Sequence, residues 1–488
     1  MPLLTFNDWR PDTADYQGTS LHSVLNVQPR GDGWGPFPSF SAYTGVLPAA
    51  CRGAFYALKS DGTVVTFAGT STKLYKLNNT DFTWEDVSLG ASTYSALSAT
   101  AQWQFAQFGN LVFATQANAV LQVFDLSSSS AFANCGGSPP QAAYIAIVGR
   151  FVVLSGLLSN PYRIQWSGLN ATTTWTSGTN SSDYQDFPDG GIVRGVAGGE
   201  AGIIFQDQAI RRMSYVPGSP IIFQIDRITQ DKGLYAPYSV IRAGEVIYFY
   251  AGQGFHKIVP GGVPEQIGRE KVDRTFLADL DKGHLELFQG AADPRSTRIY
   301  WAYRSANGVN PANYDKILGY DPALDRFFTL SVTGEYLLGI SQTGLTLENM
   351  DSISSSLDAL TLSLDSYATA VQPQIAQFNS SHVLGFFAGT NLEATIESAE
   401  QGTDEQRVTL RGFRPITDSA TVYGSVTYRD TQALTPTAGS EVLMSSRTGR
   451  CDMMRDARYI RYKNRIPAGT TWTFIAGIVP DITTNGAL

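Results

Sequence analysis

Thiols and imidazoles are scarce in this chain of 488 residues. Cys51, Cys135 and Cys451 are scattered and no C-x-x-C occurs. That excludes a disulfide framework and the usual zinc spacings, and it suits a compartment that keeps thiols reduced. His22, His256, His284 and His382 lie far apart, with no H-x-x-x-H pair. Charge is also thin: 16% of residues are charged and the net charge is −8, so the chain carries no overall basic footprint for nucleic acid. No apolar run is long enough for a membrane helix. The closest, Ala142 to Leu158, is too short and is split by Gly149-Arg150. It reads as two buried strands joined by a tight turn, and no membrane insertion is expected. The N-terminus has neither a basic region nor an apolar core of signal length, so no export signal is expected and the sequons at Asn78, Asn170, Asn180 and Asn379 read as polar turns. G-x-S-x-G, Walker and EF-hand patterns are missing.

What the chain does hold is glycine, 47 residues, and aromatics, 12%. This is the balance of a β-rich protein with many turns. Six apolar strands recur: TVVTFAG from Thr63, NLVFATQ from Asn110, RFVVLSG from Arg150, AGIIFQD from Ala201, EVIYFYA from Glu245 and TRIYWAY from Thr297, at steps of 47, 40, 51, 44 and 52. Each is followed by a turn and a second strand. Four are preceded by turn signals, at Asp61-Gly62, Gly109-Asn110, Gly149-Arg150 and Gly244-Glu245. A unit of this length with three or four short strands is the period of a propeller blade. Strands apolar on both faces fit the interior of such a ring, where neighbouring blades cover them. The expected fold is therefore all-β, with a six-bladed β-propeller over residues 50–332. The competing arrangement is one long β-sandwich or two. WD, kelch and Asp-box signatures do not occur. One stretch, Arg269 to Phe288, spaces Val272, Phe276, Leu277 and Leu280 as a helical face.

After residue 332 the period stops. DSISSSLDALTLSLDS begins with helix-like spacing at Ile353, Leu357 and Leu360. Alternation returns in ATVYGSVTY, and two closing strands flank Pro467-Ala468-Gly469. Residues 333–488 are expected to form an antiparallel platform, a sandwich or barrel, and residues 1–49 an arm that packs on the platform or on a neighbouring subunit. Within the arm, VQPRGDGWGPFPSF carries G-x-G-x-G with no helix after it, and Pro36 and Pro38 lack the amide donors a phosphate cradle needs. It reads as a stiff strap, with Trp34, Phe37 and Phe40 as anchors.

Paired carboxylates occur at Asp279/Asp281 and Asp321/Asp325. The second pair reads as a blade-end turn opened by Asp321-Pro322. Neither catalysis, metal nor cofactor is expected. Between Thr403 and Arg465 eleven basic residues face seven acidic ones, so this window is +4 and the remainder −12. Arg447, Arg450, Arg455, Arg458, Arg461 and Arg465 form its densest part and are expected to pair with acidic groups on an adjacent subunit.

The segments TKLYKLNNTDFTWEDVS, WQFAQFGNLVFATQ, YRIQWSGLN, FQDQAIRRMSYV, SISSSLDALTLSLDS and ARYIRYKNRIPAGTTW, together with the strap, resemble a family of bacteriophage and prophage virion proteins. In size and plan the chain is similar to the hub or nozzle proteins of short-tailed phages, also called packaged-DNA stabilisation or tail tubular proteins. That resemblance implies a homo-oligomer, a hexamer, made in the bacterial cytoplasm and placed in the virion tail below portal and adaptor. There it would line or plug the channel through which double-stranded DNA passes. A receptor-binding tail protein and a propeller glycan hydrolase are the alternatives.

Overall fold

Each of the six apolar runs is the second strand of a four-stranded antiparallel sheet. These six strands are almost wholly buried, Val64–Gly69 and Ile299–Tyr303 at every position. The structure, a computed structural model, describes residues 3–14, 18–219, 221–341, 356 and 373–485. Blade one comprises Ala54–Leu58, Val64–Gly69, Leu74–Leu77 and Trp84–Asp86. Blade two follows with Gln104–Phe108, Leu111–Thr115, Gln122–Asp125 and Ala133–Asn134. Blade three is Ala142–Val148, Phe151–Leu157, Arg163–Trp166 and Asp183–Asp186. Blade four is Val193–Ala197, Gly202–Gln206, Ile210–Tyr215 and Phe223–Thr229. Blade five is Ile241–Ala243, Val246–Tyr250, Phe255–Ile258 and Glu265–Gln266. Blade six is Gln289–Ala292, Ile299–Tyr303, Lys316–Asp321 and Arg326–Leu330. The glycines of the four expected turns, Gly62, Gly109, Gly149 and Gly244, all have φ between 54° and 84°, which a side chain would resist. Aromatic pairs weld neighbouring blades: Phe67 with Phe124 at 5.1 Å, Phe205 with Phe249 at 5.0 Å.

The ring has one blade more than the expected six. Tyr336–Ser341, Pro373–Phe378 and Val383–Asn391 form three strands of a seventh sheet, and Pro38–Val46 supplies the fourth. Its core side chains, Leu338, Ile340, Phe378 and Phe386, join Ala54, Ala68 and Tyr75 of blade one in one cluster. The propeller therefore extends beyond 332 on one side and reaches back to residue 38 on the other, and the boundaries at 49/50 and 332/333 are corrected accordingly. The helix-like spacing at Ile353, Leu357 and Leu360 lies outside the described residues. The expected helix at Arg269 to Phe288 is seven residues, Asp273–Asp279, with a 3₁₀ turn at Leu285–Leu287.

The platform is an antiparallel sandwich, and the arm is part of it. One sheet runs in the order Val27–Arg30, Gly33–Pro36, Ile475–Thr484, Val408–Thr417 and Cys451–Ala457, with Leu4–Thr5 beside Ile475–Thr484. The other places Leu21–Leu25 beside Ala394–Ser398, Tyr459–Ile466 and Tyr423–Arg429. Phe413 of the first sheet meets Tyr462 of the second edge-to-face at 5.4 Å. Their shared core continues without a break into blades five and six through Trp34, Tyr250, Phe255 and Trp301.

Candidate functional site

The sequence offers two candidate places, the strap and the basic platform strands, and the structure adds a third, the axis of the ring. The strap is a hairpin followed by a blade strand. Val27–Arg30 pairs with Gly33–Pro36, and after Phe37 the chain enters blade seven at Pro38. Gly33 sits at φ 139° with the Ile475 carbonyl 2.5 Å from where a Cβ would be, so close backbone approach requires glycine there. Trp34 is fully buried and its indole N–H donates to the Asn7 carbonyl at 3.2 Å. Phe37 wedges between Tyr300 of blade six and Phe387 of blade seven, at 6.3 and 5.1 Å. Phe40, half-buried, lies opposite Phe387 in the strand register. All three anchors thus meet their own chain, as in the first of the two expected alternatives, with Phe37 and Phe40 reaching past the platform to blades six and seven.

Arginines lock the strap down. Arg298 of blade six donates to Asp321 Oδ2 at 2.9 Å, to Gln28 Oε1 at 2.6 Å and to the Pro29 carbonyl at 2.9 Å. Arg326 reaches Asp8 at 2.7 Å and the Arg30 carbonyl at 3.0 Å. Asp321 also accepts from the amides of Ala323 and Leu324, which is the blade-end turn expected for it, and Asp325 pairs with Lys271 at 2.6 Å. Asp279 holds Lys316 and Tyr303, and Asp281 holds Arg304. Asp12 of the arm accepts the amides of Arg274 and Thr275 and so caps the short helix from outside. Beside it Asp273 is buried, and that burial raises its carboxyl to about 6.

The basic strands find most of their acids at home. Arg465 pairs with Glu441 at 2.7 Å and Glu393 at 3.0 Å, which holds it well above its ordinary pKa and Glu441 below its own. Arg450 meets Asp452 and Asp481, each at 2.7 Å, and Arg461 meets Glu397 at 3.5 Å. Arg455 lies over the Tyr428 ring at 5.8 Å. Arg429, outside the densest part, makes two bonds to buried Glu400. The expectation that these arginines wait for acids on the next subunit is corrected for Arg450, Arg461 and Arg465. Arg447, like Arg411 and Arg414, is exposed and has no ion-pair partner among the described residues.

Two polar clusters carry no sequence signature. At the closure between blades seven and one, buried Glu335 accepts from the Cys51 amide at 2.9 Å and contacts His382 Nδ1 at 2.5 Å, while the His382 carbonyl accepts from Leu47 N–H at 2.9 Å. Desolvation raises the Glu335 carboxyl and the Cys51 thiol, so this thiol is no nucleophile. Across the axis, Gln102 at the start of blade two donates from Nε2 to the Glu286 carbonyl before blade six, and its backbone N–H donates to the Tyr238 hydroxyl at 3.0 Å. A cavity of about 550 Å³ opens on one side of this bar and one of about 240 Å³ on the other, with Tyr144 and Tyr238 lining both. Apart from Tyr144, which lies in the strand Ala142–Val148, these residues sit in connecting segments, where periodicity says nothing.

No family model and no curated protein matches the chain. Among solved structures, it is similar to the extracellular domain of a two-component system protein of B. thetaiotaomicron, at 10% identity and TM-score 0.41, covering 83% of this chain and 47% of that one. It is also similar to the WD40 repeats of RRP9, at 8% identity and TM-score 0.38, covering 64% and 88%. A third is the dihydro-heme d1 dehydrogenase NirN, at 12% identity and TM-score 0.35, covering 86% and 79%. The chain spans about half the length of the first of these.

Proposed function

We propose that this chain is a structural virion protein of a short-tailed phage, the subunit of an oligomeric nozzle or hub ring, six copies strong, that surrounds the DNA exit path below portal and adaptor. The observation that carries this reading is the strap. One of the stretches through which the chain resembles that family joins platform and propeller into one packed body. A ring that withstands packaged DNA needs such a body, because hinged domains would let its wall give way. The axis bar from Gln102 to Glu286 closes each propeller, so the DNA path runs between copies rather than through a blade ring. Arg411, Arg414 and Arg447, exposed and unpaired among the described residues, are the side chains left for contacts with other copies or tail proteins.

Sedimentation velocity and electron microscopy of the purified chain, alone and with a portal–adaptor assembly, test this. Rings, alone or on the adaptor, are the expected result. A chain that stays monomeric in both settings opposes it. Adsorption of the isolated protein to host cells would favour the receptor-binding alternative, and release of reducing sugar from cell-surface glycans the hydrolase.

A further inference from the structure

We infer that the wider mouth of the propeller axis is a binding site for a neutral polyhydroxylated ligand of one or two sugar units. Its volume, about 550 Å³, falls within the roughly 300–1,000 Å³ of small-molecule sites. Aromatic faces converge on it: Tyr144 from the inner strand of blade three, and Tyr235 and Tyr238 from the segment leading into blade five. Tyr144 and Tyr238 lie 6.1 Å apart, and Tyr235 is 39% exposed, its ring open to the cavity. Such faces pack on the C–H side of a pyranose.

The polar groups decide the ligand's charge. Glu286 is 6% exposed; its Oε1 contacts His284, and its Oε2 has no partner among the described residues. Gln102, 2% exposed, holds the Glu286 carbonyl from the side of the smaller cavity. A buried carboxylate oxygen without a donor is costly and calls for hydroxyl or amine hydrogens. An amine is opposed by Arg194 and Lys282 in the same wall, and an anion by Glu286 and Asp207. A metal ion lacks a cage: no group of three or more His, Cys, Asp or Glu is assembled among the described residues. Hydroxyls, which donate without net charge, satisfy all of these constraints. The Arg194–Asp207 pair, 2.6 Å apart, adds a donor and an acceptor at the rim.

The test is saturation-transfer NMR and calorimetry on the full chain with glucose, galactose, rhamnose, N-acetylglucosamine, maltose and cellobiose, and with spermidine and inorganic phosphate alongside. At least one saccharide is expected to bind in the millimolar range or tighter. Tyr235→Ala, a substitution at an exposed ring, and Glu286→Gln are each expected to weaken it about tenfold. Spermidine and phosphate should not displace it. Silence of the whole panel at tens of millimolar, undiminished binding in both variants, or displacement by spermidine or phosphate would each overturn the assignment. None of these outcomes depends on whether the chain forms a ring.

Discussion

Blades one to six and blade seven are the same sheet built in two ways. In the first six every strand pairs with its sequence neighbour. In blade seven the outer strand, Pro38–Val46, pairs with Val383–Asn391 from the far part of the chain. The platform repeats this pattern, since Val27–Arg30 and Gly33–Pro36 lie beside Ile475–Thr484. A local blade closes short loops, whereas the seam between the chain ends forms only after hundreds of residues are in place, at higher entropic cost. Stability that depends on both ends at once is all-or-none. The seam should therefore be where the molecule is easiest to break.

The largest effect should come from removing residues 1–46. The truncated chain would expose the edge of Val383–Asn391 and empty the Trp34 and Phe37 sites, so we expect aggregation and loss of a cooperative melt, read by size exclusion and calorimetry. A Gly-Ser insertion at exposed Gly178, within blade three, should by contrast leave melting within a few degrees. If the truncated chain melts as sharply as the intact one, the seam is not what closes the ring. Next in size is Trp34→Ala, expected to cost about 3–5 kcal/mol in urea unfolding, with half-buried Phe40→Ala costing about 1–2 kcal/mol. Equal costs would mean that the strap is held by its strand pairing alone.

The same contrast explains what could be read in advance. The six apolar runs announced themselves because each is buried on both faces and follows a tight turn, four of them with glycine at positive φ. Blade seven lacks that signature: its strands are split by a long insertion and completed by a strand some 340 residues earlier, which no periodicity connects. The strap was legible as a strap from Gly33, Trp34 and the prolines, but what it fastened was not. Its partners, Arg298, Arg326 and Ile475, are distant in sequence. The basic strands misled for a related reason. Composition counts charges within a window, and Glu393, Glu397 and Asp481, which neutralise Arg465, Arg461 and Arg450, lie outside it.

A third test probes the arm where it meets blade five. Asp273 is buried and its folded pKa, about 6, lies above the ordinary value of 3.8. The folded state therefore binds this proton more tightly than the unfolded chain. Its contribution to stability is fully present below about pH 4 and is lost as pH rises through 6. Asp273→Asn should remove that dependence, so the variant gains on the wild type by about 2 kcal/mol between pH 4.5 and 7.5, in paired urea titrations. A gap that stays constant with pH would mean that the carboxyl is ionised throughout.

The smallest effect on folding, and the most informative one for assembly, belongs to the platform's exposed arginines. Arg465 and Arg447 are both in the basic stretch, but only the first is tied to in-chain acids. Reversing Arg465 to Glu places a third carboxylate against Glu393 and Glu441 and should lower stability by about 1–2 kcal/mol, as like charges replace an ion pair. Reversing Arg411, Arg414 and Arg447 together should change stability by no more than about 0.5 kcal/mol each, because their side chains have no ion-pair partner among the described residues. If these three meet acidic surfaces on other copies or tail proteins, the triple reversal should still fold and melt normally while sedimentation shows weaker ring formation, more so at low salt. Normal rings from the triple reversal, with rings lost only through the destabilised Arg465 variant, would remove the platform's charges from assembly and leave shape alone to hold the copies together.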